Sequence, residues 1–254
     1  MRKRLASGLA AAVLAGFGQQ VPEMAAVPAS KCPMGASVSH EGVHKEDVAA
    51  FRIARAPVTN AEYRLFVLAS GHPPPGRNSV GNKETIWTGT SFPPAVADHP
   101  VVNVSWNDAA AYCAWLAKAT GKPFRLPTEE EWEIAARGGL KGKPYPWGDG
   151  IDKTAAWHGM KWIGPETLMP ADFGRANPYG LYGMAGNVWQ WVEDWYVPTF
   201  NGRPVEEELK LYKVLRGGSW ADEEGFLTVN YRNYHPPDFK DFFIGFRVAL
   251  PGTE

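Results

Sequence analysis

The chain has 254 residues, a formal net charge of -1, 21% charged residues and 44% hydrophobic residues. That balance belongs to a globular protein of one large domain or two small ones, and it argues against a strongly basic surface of the kind that holds nucleic acid or an anionic membrane. The 27 glycines, 22 prolines and 11 tryptophans argue against a helix bundle and for a loop-rich α/β (α+β) fold packed on aromatic rings, low in regular secondary structure.

At the N-terminus, Arg2, Lys3 and Arg4 precede an apolar stretch from Leu5 to Phe17. A basic start followed by such a run predicts a secretory signal peptide over residues 1–26, too short for a membrane span. Cleavage points fall near Gly18 or near Ala25–Ala26. The mature chain, residues 27–252, is then periplasmic or otherwise exported, with no stable membrane span. Val27–Met34 and Ala49–Ile53 read as short strands. The two cysteines, Cys32 and Cys113, can pair in an oxidising compartment only if the fold brings them together.

Three helices follow. They start at Thr59, Ser105 and Thr128, each answered three residues on by an acid, Glu62, Asp108 or Glu131. The hydroxyl takes a free backbone N–H and the acid answers the cap's own N–H. Gly71, Gly121 and Gly138 supply the left-handed residue that ends each helix. Cys113 shares an apolar face with Ala109, Tyr112 and Leu116 and reads as a buried structural thiol. Between the first two helices, Pro73–Pro100 is a long surface excursion around Ile86 and Trp87. Beyond Gly139 the helical period fades. Short runs at Tyr145–Gly148, Ala155–Trp162, Leu181–Met184, Val188–Trp195, Tyr212–Leu215 and Phe246–Leu250 predict short strands among long loops.

No nucleophile elbow, phosphate loop or HExxH helix occurs. The six histidines are scattered; His40 and His44 stand four apart, but in a glycine-containing loop. Glu129–Glu131 and Glu133 suit a helix start, where acids complement the dipole. Arg125 and Arg137 read as ion-pair partners. In Gly186–Trp191 the two tryptophans lie at i,i+2 and share a face if the segment is extended; Trp191 reads as core, Trp189 as core or as a stacking platform. Arg216-Gly217-Gly218-Ser219-Trp220 combines close backbone approach with a hydroxyl. Asp222 belongs either to an exposed acidic turn with Glu223 and Glu224 or to a pocket edge, as a base. Arg232 reads as a buried ion-pair partner. The candidates for acid–base work are Ser219, Asp222, Arg232 and His235.

Together these motifs resemble the formylglycine-generating enzyme, or sulfatase-modifying factor, family. The matching pieces are PMGA at 33–36, PVTNAEY at 57–63, HPVVNVSWNDAAAYCAWL at 99–116 and RLPTEEEWEIAARGG at 125–139, followed by PWGD at 146–149, NPYGLYGMAGNVWQW at 177–191, RGGSW at 216–220 and GFRVA at 245–249. They stand in family order across residues 27–250. The resemblance implies a single loop-rich domain related to C-type lectins. It implies a substrate cleft at Ser219 and Trp189, beside Trp220. It also implies two cysteines shortly after the GGS motif that bind Cu(I), since thiolates suit that ion. This chain has no cysteine between Ser219 and Phe246, so copper at that site is not expected. For calcium the resemblance implies carbonyls at Gly186 and Val188 and side chains at Gly183 and Gln190, where glycine brings no side chain and glutamine no charge. A second site, near Ala156 and Trp157, lacks a side-chain oxygen at the first. No cofactor is expected, and non-haem iron belongs to relatives with a second domain.

The resulting expectation is an exported accessory or maturation factor without the copper thiols, holding a protein or peptide partner. Relatives of this kind occur beside periplasmic copper nitrite reductases. The alternatives are a periplasmic oxidative-maturation enzyme using non-thiol chemistry, as in siderophore chromophore maturation, and a lectin-like ligand-binding module. Trp189, Ser219 and Trp220 are the expected cleft.

Overall fold

The three capped segments are helices, and each ends where its local chemistry predicts. In the computed structural model, which describes residues 21–34, 44–81, 85–197, 199–200, 203–204 and 210–252, they are α1 (Asn60–Ser70), α2 (Trp106–Thr120) and α3 (Glu129–Arg137). All three carry complete capping boxes and left-handed C-terminal glycines. Each hydroxyl cap is worth about 1 kcal/mol. Residues 1–20, with the basic and apolar leader, and His40 lie outside the described residues, as does the side chain of Cys32. No described helix is long and apolar enough to cross a membrane.

The strands are short. The first part of the chain forms β1 (Met24–Val27), β2 (Ser30–Met34), β3 (His44–Val48) and β4 (Phe51–Ala54). The second part adds β5 (Trp189–Trp195), β6 (Thr199–Phe200), β7 (Arg203–Pro204), β8 (Lys213–Arg216), β9 (Arg232–His235), β10 (Ile244–Phe246) and β11 (Ala249–Pro251). One sheet has the order β1-β4-β11, so the two ends of the chain flank β4. A second has the order β10-β5-β8-β9, with β10 parallel to β5. The sequence places the first strand at Val27, but pairing begins at Met24, opposite Ala54. A cut at Ala25–Ala26 would halve β1; a cut near Gly18 would spare it. The runs Ala155–Trp162 and Leu181–Met184 are loops.

Strand β5 lies between two hydrophobic clusters. Trp189 and Trp191 face one of them, with Tyr63, Tyr112, Leu116 and Phe246, while Val192 faces the other, with Trp132 and Val214. The Tyr63 and Tyr112 rings stack at 5.7 Å, and Phe246 meets Tyr112 edge-on at 5.3 Å. Cys113 is a free, buried thiol, and burial pushes its pKa up. Ile86 and Trp87 are buried in the long excursion, where Trp87 Nε1 donates to Asn60 Oδ1 at 2.7 Å.

Candidate functional site

Strand β8 ends at Arg216, and two glycines turn the chain. Gly217 has φ +101°, and a Cβ there would come 3.1 Å from Trp132 Cζ2; Gly218 has φ +70°, with Leu227 Cδ1 and the Phe226 carbonyl both 3.0 Å from its ideal Cβ. Only glycine takes that path without strain. Ser219 and Asp222 then close a tight turn. The Ser219 hydroxyl donates to Asp222 Oδ2 at 2.5 Å, and the Ser219 amide donates to the same oxygen at 2.8 Å. The carboxylate thus holds both donors of the serine, and a hydroxyl so placed has a ready proton acceptor. Burial and the charge of Asp222 hold the Tyr231 pKa above its ordinary value, which puts that phenol within electrostatic reach of the turn.

The GNVWQW segment is stitched to this turn. The Gly186 amide donates to the Gly217 carbonyl, the Trp220 amide to Asn187, and the Asn187 amide to Trp157. The Asn187 side chain bonds both the amide and the carbonyl of Met169, at 3.1 and 2.9 Å. Gly159 and Met160 donate to the carbonyls of Asp222 and Trp220. Beside the turn opens a depression of about 390 Å3 lined by His158, Gly159, Glu223, Glu224 and Gly225. Both ring nitrogens of His158 are buried without a partner. Sequence reasoning passed over this histidine, because its neighbours in space, Glu223 and Glu224, lie some sixty positions on. Its only local signal is its place beside Trp157.

The structure brings Ser219 and Asp222 into contact but commits the other two candidates elsewhere. Arg232 donates to Glu129 through Nε at 2.6 Å and Nη2 at 2.9 Å, and lies over the Tyr196 ring. It is the ion-pair partner expected from the sequence, with Glu129 as the acid. The His235 ring stacks on Phe239 at 3.8 Å, and burial lowers its pKa. The residues expected at the cleft, Trp189, Ser219 and Trp220, lie in the interior. These residues are 1%, 0% and 3% exposed. The reason is tertiary: Trp189 sits on a central strand against Tyr231, and Trp220 packs on Trp162 and Phe242. The open apolar side chains on these loops are Met160, Ile163 and Phe226.

Among the described residues, no three His, Cys, Asp or Glu side chains form a metal-binding group. The positions at 183 and 190 do not fit calcium, because their oxygens already serve a guanidinium. Arg247 donates through Nε to Gln190 Oε1 at 2.6 Å, and through Nη2 to the carbonyls of Tyr182 and Gly183 at 2.6 and 3.2 Å. The Gln190 amide also donates to the Gly183 carbonyl at 2.6 Å. The Gly186 carbonyl accepts from the Val188 amide at 2.9 Å.

The family model described as "Sulfatase-modifying factor enzyme 1-like domain" matches residues 11–251. The formylglycine-generating enzyme of Streptomyces coelicolor is 32% identical over 82% of this chain and 80% of its own. The inactive C-alpha-formylglycine-generating enzyme 2 of Mus musculus is 43% identical over 59% of this chain, a match spanning 48% of its own length. Among solved structures, PvdO from Pseudomonas aeruginosa superposes with a TM-score of 0.73 at 29% identity, covering 91% of this chain and 95% of that one. The ordered motifs, the single loop-rich α/β domain and these matches together establish that the chain belongs to the sulfatase-modifying factor, or formylglycine-generating enzyme, family.

Proposed function

We propose that this chain is an exported accessory or maturation factor that holds a protein or peptide partner and does not oxidise cysteine through copper thiolates. The observation that carries this reading is the composition of the stretch from Ser219 to Phe246, which has no cysteine and whose serine hydroxyl is taken by Asp222. Likeness to a mouse protein named as inactive supports it. In this reading the partner meets the exposed Met160, Ile163 and Phe226, with Glu223 and Glu224 at the rim. An apolar segment with basic flanks complements such a surface. A periplasmic copper nitrite reductase is the first partner to try. Copper at the thiol site and calcium at positions 183 and 190 have no part in this reading. Export requires cleavage before β1, near Gly18, which N-terminal sequencing of the secreted protein checks.

The test is binding of the purified protein to copper nitrite reductase and to a sulfatase-derived peptide by calorimetry. Ile163→Asp with Phe226→Asp is expected to abolish partner binding while the unfolding midpoint holds. Formation of an aldehyde on a cysteine peptide by the copper-loaded protein would overturn the reading. A second reading, oxidative maturation by non-thiol chemistry, is favoured by one observation: the Ser219–Asp222 pair lies beside a histidine with two unpartnered nitrogens. Under it, Asp222→Asn removes turnover of a substrate and leaves partner affinity unchanged.

A further inference from the structure

A pocket of about 230 Å3 lies at the C-terminal end of α3, remote in sequence from the Ser219 turn. Ile134, Leu140 and Tyr179 give it apolar walls; Lys31, Arg137 and Lys141 give it charge; among the described residues no acid lines it. Its shape depends on Gly139, at φ +81°, where a Cβ would come 3.2 Å from Tyr179 Oη. Arg137 is the buried cation, 8% exposed. Its Nε and Nη2 both donate to Glu133 Oε1, at 3.0 and 2.6 Å. Among the described residues, Nη1 has no partner. Lys31 faces Asp47 at 3.2 Å, but both side chains are about three-quarters exposed, so the pair is weak. The negative end of α3 lies here too; Arg137 already faces Glu133 and Lys31 faces Asp47, and Lys141 adds a further cation. The volume is below the ~300 Å3 at which drug-sized sites begin, so the ligand is small.

We propose that this pocket binds a small amphipathic carboxylate. The carboxylate faces Arg137 Nη1 and Lys141, and the hydrocarbon part packs on Ile134, Leu140 and Tyr179. A guanidinium edge suits a carboxylate oxygen, and three apolar walls favour an organic anion over a free inorganic one.

Hexanoate, hexylamine and inorganic phosphate, titrated separately into the full-length protein and followed by calorimetry, test the proposal. Hexanoate is expected to bind at one site, and hexylamine and phosphate not at all. Lys141→Glu is expected to weaken hexanoate about tenfold through charge reversal. Leu140→Asp should weaken it through the apolar wall. Both positions are at the surface or partly buried, and the unfolding midpoint of each variant checks the fold. Absence of hexanoate binding overturns the proposal, as does hexanoate affinity unchanged in both variants. Equal affinity for phosphate reduces the pocket to a simple anion site, and equal affinity for hexylamine to a simple apolar one; either result also overturns it.

Discussion

Two buried arginines near Trp132, one over its ring and one sharing the Gln190 acceptor with its Nε1, show how differently one fold can keep a charge inside. Arg216 lies over the Trp132 ring at 5.4 Å and is held by Glu133 at 2.6 Å and Glu129 at 3.1 Å. Around those acids gather Arg137 and Arg232, so the region is a network of opposite charges. Among the described residues, Arg247 has no carboxylate partner. It is held by Gln190 Oε1 and by the carbonyls of Ala54, Tyr182 and Gly183, and Gln190 in turn accepts from Trp132 Nε1. Burial pulls the Arg247 pKa down to about 9, which leaves it charged at neutral pH. The difference teaches that the desolvation cost of a cation can be met by counter-ions or by neutral dipoles. The two solutions respond differently when one partner is removed.

The largest expected effect is Glu133→Ala. It strips a carboxylate from Arg216 and Arg137 together, and unpairing a buried charge costs about 3–5 kcal/mol. Urea denaturation should report an unfolding free energy lowered by that amount. Arg247→Met comes next. It leaves neutral acceptors unfilled, at about 1–3 kcal/mol, and relieves a charge that has no counter-ion. A loss from Arg247→Met larger than that from Glu133→Ala would break the comparison.

The smallest effect concerns excess acid on the Arg216 side. Asp194 accepts the Glu129 amide at 2.6 Å, and its pKa is pushed up to about 6 by burial and then by the charge of Glu130. An acid whose folded pKa is raised costs stability when it ionises. The cost is absent below its ordinary 3.8 and complete above about 6. Asp194→Asn keeps an oxygen for the Glu129 amide. It should raise the melting temperature at pH 8, by a gain under about 1 kcal/mol after solvent screening, and leave it unchanged at pH 4. A gain equal at both pH values would show that charge is not the cause.

Much of this molecule was legible because its signals are local. Thr59 with Glu62, Ser105 with Asp108 and Thr128 with Glu131 bond across three positions, so the residues that make each cap are also those that spell it. The acids of α3 were read as structural, and Arg125 with Glu131 and Arg137 with Glu133 bear that out. Other features were not legible. Arg216 and Glu133 are 83 positions apart, and nothing near either residue announces the other. Arg232 read as an ion-pair partner, but which acid it takes was not legible for the same reason: Glu129 is 103 positions away. His158 went unnoticed because its significance lies in the absence of a partner, which no spacing records.

By itself the sequence determined the three helices with their ends, the ordered family motifs, and the lack of a cysteine after Ser219. Each of these is a property of neighbouring residues or of residue identity. The tertiary structure alone decided that Trp189 and Trp220 are walled in, that Arg232 belongs to Glu129, and that Arg247 occupies the oxygens at 183 and 190. Those outcomes depend on which distant segments meet across β5 and Trp132. Burial and charge pairing arise only when such segments close on one another and exclude water.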